Sequence, residues 1–239
     1  MSNFWEFVNS EEAVVQKSYA DLKEVTDLAV DAWNAYITPS YFTNFKVKSS
    51  ASIIYKTQAD VALKQAITSV LKKQYAQALY NVRFADENLV IAIYGYAEPD
   101  KVLDEMKKRQ SVDKTIRGKA NAYLATKLPD NSLKFKNLHK TCDRYGSHQS
   151  VSHVGRNFRF RDDSNGFEIL MVGEDNLQLN IGIMGIVIGL IIEFYFSISK
   201  LPEVEWIKVS PDTSSNMEAI LVRFEAMKTQ YRSLWGDLI

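Results

Sequence analysis

Residues Ile181 to Ile192 read IGIMGIVIGLII, twelve positions without a polar side chain. This run decides the fold, because a helix that is apolar all round has to be buried, in a core or in a bilayer. It is short for a bilayer span, which takes about 20 residues. Extending it to Ile198 takes in Glu193, a charge that is costly in hydrocarbon, and the only basic flank is Lys200. Residues 176–199 are therefore read as the buried central helix of a soluble bundle, with membrane contact as the alternative. Gly182, Gly185 and Gly189 share one helical face, and Gly185-x3-Gly189 is the small-residue spacing that lets two helices come close. That face suits either tight packing inside the chain or a homo-oligomer contact. Glu193 sits near it, and an internal carboxylate calls for a basic or histidine partner.

The flanking segments are also mostly helical. Residues 11–36 carry Val15, Tyr19, Leu22, Ala29, Trp33 and Tyr36 at helical spacing, ending before Pro39. Residues 40–50 read as a loop. From Ser52 the helical pattern runs to Ile93, too long for one globular helix, so a break is expected near Lys72 to Tyr75. Charged or sparse helices follow at 100–110, 112–127 and 132–145. At about 157–173 the pattern changes: Phe158 and Phe160 alternate with Arg159 and Arg161, and Asn165-Gly166 is turn chemistry, which predicts a β-hairpin. A short strand is expected at 204–209 between Pro202 and Pro211, then a C-terminal helix, 212–236. The expected fold class is mainly α, a helical bundle with one inserted β-hairpin. It forms a single domain over 1–239, with an N-terminal helix (1–39) packed on a core of 52–200.

Composition is that of a globular chain, 46% apolar and 24% charged over 239 residues. A lone cysteine makes no intramolecular disulfide, which favours a reducing compartment, and the N-terminal residues lack a signal pattern, so a cytoplasmic location is expected. Charge is uneven: Lys101 to Arg161 holds fifteen Lys/Arg against five Asp/Glu, a net of +10, and the remainder is −10. Such a block attracts phosphate. Its plainer reading is a solvated helix face balanced by acidic neighbours.

All three histidines and the cysteine fall between Asn131 and His153. His139, Cys142, His148 and His153 are short-spaced potential zinc ligands, but one thiolate is few for a structural site. Helical register places Phe135, Leu138, Cys142 and Tyr145 on one apolar stripe, which commits Cys142 to the core and leaves His139 an ordinary helix residue. Gly146 stops the helix, so His148 and His153 follow it in a loop. His148 or His153 with Arg144 supplies what metal-independent ribonuclease chemistry uses, a proton-transfer group and a cation for the phosphorane. Arg83 and Glu87, four apart on a helix, read as an ion pair.

The segment Tyr75-Ala-Gln-Ala-Leu-Tyr-Asn-Val-Arg83-x3-Glu87, the Glu98-Pro99-Asp100 turn and Tyr145-Gly-Ser-His148 resemble all-helical proteins related to HEPN (higher eukaryote and prokaryote nucleotide-binding) domains, over about residues 52–200. The resemblance implies a helical bundle with a nucleotide-bearing partner. Active HEPN ribonucleases are implied to carry Arg, four to six residues, then His. Here Arg144 is followed by three residues before His148 and by eight before His153. The expected function is thus binding of RNA or another phosphate-bearing partner through residues 101–161, with no cofactor. The alternatives are a degenerate-motif ribonuclease, a module that self-associates through helix 176–199, and a small zinc protein.

Overall fold

The break expected between Lys72 and Tyr75 falls there, one helix ending at Leu71 and the next starting at Tyr75. The computed structural model describes residues 4–37, 41–42, 50–107, 112–145, 158–160, 167–169, 177–204, 207–208 and 211–231. Among these, nine helices follow in order: α1 (Phe4–Asp21), α2 (Lys23–Ile37), α3 (Ser50–Leu71), α4 (Tyr75–Ala97), α5 (Pro99–Lys107), α6 (Val112–Lys127), α7 (Pro129–Tyr145), α8 (Leu177–Lys200) and α9 (Pro211–Gln230). The helix read over 11–36 is two helices, parted at Leu22. At the junction the Leu22 N–H reaches the Ser18 carbonyl at 3.0 Å and the Thr26 N–H reaches the Leu22 carbonyl at 2.9 Å.

The α3–α4 turn closes with two backbone bonds, Gln74 N–H to the Ser69 carbonyl at 2.8 Å and Lys73 N–H to Val70 at 2.9 Å. This pair of bonds ends a helix on a left-handed residue. That residue is Lys73, φ 57°. α3 and α4 then pack along most of their length. The Ala59, Ala62, Ala66 side of α3 carries little bulk, so the backbones come near.

Two helices are buried on every side for much of their length, α4 from Asn88 to Tyr96 and α8 from Leu179 to Phe194. They pack on each other. α3 packs on both, α2 packs on α8, α6 and α7 lie on α4, and α7 and α9 lie on α8, with α9 also against α2. Each fully buried Ile or Leu contributes about 1.5–3 kcal/mol, and Ile181, Ile183, Ile186 and Ile188 of α8 are all of this kind. Tyr36 of α2 meets Phe194 of α8 edge-to-face, centroids 5.3 Å apart. Among the described residues, α8 is the one helix long and apolar enough to cross a membrane, and 89% of its apolar window is buried inside the fold.

The expected fold class, a bundle with one β-hairpin inserted at about 157–173, is corrected: the architecture is all-helical, and no sheet enters it. Strand geometry among the described residues is confined to two short ladders, Tyr41–Phe42 (β1) against Ile207–Lys208 (β4), and Phe158–Phe160 (β2) against Phe167–Ile169 (β3). Neither forms a layer on which helices pack. The Asn165-Gly166 tip read as a hairpin turn lies outside the described residues. The physical reason is scale. A three-residue ladder has too little apolar face to act as a structural layer, whereas the helices bury their apolar surface on one another.

At Gly95, α4 has Ser52 of α3 and Val102 of α5 close against it. A Cβ there meets the Ser52 Oγ below contact distance, with Ser52 Cβ at 3.2 Å and Val102 Cγ2 at 3.3 Å. Gly95→Ala should therefore lower unfolding stability by about 1–3 kcal/mol, although alanine is the better helix former. Ser52→Ala in that background should restore much of the loss, since Ser52 Oγ is buried without a hydrogen-bond partner. Urea denaturation of the single and double variants checks this.

Candidate functional site

α4 turns Arg83, Asp86 and Glu87 toward α6 and α7. Arg83 and Asp86 are three apart and Glu87 is one turn beyond Arg83, so the three flank one edge of the helix. The expected Arg83–Glu87 pair is present, Nε to Oε1 at 3.1 Å. From α6, Arg117 Nη1 reaches the same Glu87 oxygen at 2.6 Å. Arg117 Nη2 also lies 2.9 Å from His139 Nε2, and His139 Nδ1 lies 2.8 Å from Asp86 Oδ2. Arg117 has no lone pair to offer, so Nε2 accepts and Nδ1–H donates to Asp86. The chain carboxylate–imidazole–guanidinium–carboxylate thus pins α4, α7 and α6 together.

Asp86 is 3% exposed. Burial pushes its carboxyl above the ordinary carboxylate range, and the His139 hydrogen bond and the His139 and Arg117 charges only partly offset this. Its second oxygen, Oδ1, is buried without a partner. His139, which register alone makes an ordinary helix residue, is in fact the centre of this network. Acid–base catalysis by His139 would need a ring nitrogen facing a substrate, but Asp86 and Arg117 hold both.

Cys142, one turn further along α7, is fully buried and in no disulfide, as its stripe with Phe135 and Leu138 predicts. Among the described residues no group of three or more His, Cys, Asp and Glu is placed to hold a metal ion. Of the zinc alternative, His139 and Cys142 are described, and His148 and His153 lie outside the described residues. Arg144 falls in the last turn of α7, with its side chain outside the described part.

The opposite side of α7 borders a second feature, a groove of about 530 Å³ between α7, α8 and α9. Leu138, Ile192, Phe196, Leu221 and Phe224 make its apolar walls, and Lys134, Lys140 and Lys228 stand around it. Glu193 receives the basic partner its position calls for: Lys134 Nζ at 2.6 Å, with Asn131 Nδ2 at 2.9 Å. Gly189 also lines the groove. Its missing Cβ would meet nothing nearer than Leu138 Cδ2 at 3.8 Å and Phe224 Cζ at 3.9 Å. The glycine face read as a site of close helix approach is thus turned inward, and at Gly189 that approach is loose.

Comparison with family models, curated proteins and solved structures finds no match. The HEPN resemblance rests on the sequence motifs alone.

Asp86 and Arg117 are the residues that sequence reasoning missed. Asp86 carries a signal, an acid on the stripe of Leu79, Val82 and Val90 that α4 buries. Arg117 carries none, because one exposed-looking arginine among many says nothing of its partner.

Two outcomes follow for this network. His139→Ala should destabilise the fold by about 3 kcal/mol at neutral pH by stranding Asp86, and a double-mutant cycle with Asp86→Asn should show coupling of about 1–3 kcal/mol in urea unfolding. The pH dependence has a definite sign. Asp86 holds its proton more tightly folded than unfolded, so its contribution is full below the ordinary value of 3.8 and is lost as pH rises through the raised one. Asp86→Asn should remove that downward slope from unfolding free energies measured from pH 3.5 to 7.

Proposed function

We propose that this chain is a HEPN-like helical protein of the cytoplasm that binds a phosphate-bearing partner through its basic middle, residues 101–161. RNA is the partner class that the resemblance points to. The contact is the outer ridge of α7. One observation carries the reading: Lys136 and Lys140, one turn apart on α7, are exposed and meet no acidic partner among the described residues.

Among the described residues, four other cations of the segment are paired. Lys101 pairs with Glu98 at 3.0 Å, Lys119 with Glu105 at 2.6 Å, Arg117 with Glu87 and Lys134 with Glu193. Three of these pairs draw on acids outside the segment, so they answer part of its net positive charge. Lys136 and Lys140 remain available to phosphate, and an exposed ammonium serves it as a point charge. The ribonuclease alternative gains nothing from His139, whose ring nitrogens are engaged.

Binding of a labelled ten-nucleotide single-stranded RNA, followed by fluorescence anisotropy across a salt series, tests this. Affinity should fall linearly in log–log form, with about 0.7 of slope per phosphate contact. Lys136→Ala with Lys140→Ala should therefore reduce the slope by about 1.4. Salt-independent binding, or an unchanged slope in the double variant, removes the reading.

A further inference from the structure

We infer that the groove between α7, α8 and α9 is a binding site for a single-chain anionic amphiphile, with the alkyl chain against its apolar wall and the head, a phosphate, at Lys140. The inference rests on the phosphate reading above and adds the chemistry of the ligand.

Three independent features carry it. The first is size and lining. At about 530 Å³ the groove lies within the range of small-ligand pockets, roughly 300–1,000 Å³, and Phe196 and Leu221 remain only half-buried within it.

The second is charge. Lys134 is held by Glu193 at 2.6 Å and Lys228 by Glu225 at 3.1 Å, with the Lys228 ammonium also over the Phe224 ring. Lys140 alone of the three lysines has no such partner among the described residues. The groove therefore presents a mainly apolar surface with one uncompensated positive charge at its edge. An apolar chain with one anionic head is complementary to that surface, and a cationic head meets repulsion.

The third is Gly189. Glycine is the poorest helix former apart from proline, and α8 carries it in a fully buried stretch. Close helix approach does not require it, since a Cβ would make only ordinary contacts at 3.8–3.9 Å. What the missing side chain does is keep the bottom of the groove clear, between Leu138 and Phe224.

Dodecyl phosphate, below its micelle concentration, is the probe, titrated calorimetrically into the full chain. Saturable one-to-one binding is expected, with dodecyltrimethylammonium at least tenfold weaker. Gly189→Met projects a flexible side chain into the groove and should weaken dodecyl phosphate binding at least tenfold. Gly189→Ala, whose Cβ fits, should keep the melting temperature at or above the original with a smaller loss of binding, so it reads occupancy even if the Met variant does not fold. Lys140→Glu should also cost at least tenfold.

Absence of saturable binding, equal binding of the cationic amphiphile, or full binding by both Gly189 variants overturns the inference. Loss in Lys140→Glu with full retention in the Gly189 variants overturns the groove and leaves the phosphate reading standing. Loss in the Gly189 variants with retention in Lys140→Glu supports the chain in the groove and removes the phosphate head.

Discussion

Two helices of this chain have no side that can face water. α4 is buried all round from Asn88 to Tyr96 and α8 from Leu179 to Phe194, so the rest of the chain has to cover them. A helix with an apolar stripe needs one neighbour, whereas a helix apolar around its circumference needs several. α2 and α3 pack on the pair, α6 and α7 do so as well, and α9 packs on both α2 and α8. The charged, weakly apolar helices α6 and α7 are held less by their own composition than by the surface they close.

Polar groups inside such a core survive only with partners. Asp86 on α4 and Glu193 on α8 are the two buried carboxylates of the central pair, and α7 answers both. Its His139 meets Asp86, and its Lys134 and Asn131 meet Glu193. α7 is therefore fixed in rotation by one contact toward α4 and another toward α8. With the helix fixed this way, Lys136 and Lys140 are left outward and the groove edge is set. The feature proposed to bind is thus a consequence of how the buried acids are satisfied.

Much of the helical plan can be read from periodicity. The break at Lys72–Tyr75 follows from a helical pattern too long for one globular helix, and the burial of Cys142 follows from its register with Phe135 and Leu138. Other features do not yield to that reasoning. The Phe158-x-Phe160 alternation suggests a hairpin, yet local alternation says nothing about whether a sheet layer exists for it to join. The split at Leu22 falls in a stretch with neither Gly nor Pro, so no residue type announces it. His139 looks ordinary along α7 because its partners stand 53 and 22 residues away.

By itself the sequence determined that residues 181–192 must be buried, that the chain is helical through most of its length, that Cys142 belongs to the core, and that Glu193 needs a cation. These depend on composition and on a period of 3.6 residues, both local properties. Only the tertiary structure decided which cation Glu193 receives, that Arg117 and His139 join Asp86 and Glu87 in one network, and that Gly189 lines a groove. Each of these depends on two or more helices meeting at a particular rotation. Helix rotation is set by the summed packing of all neighbours and the pairing of the buried acids, which no single stretch of the chain contains.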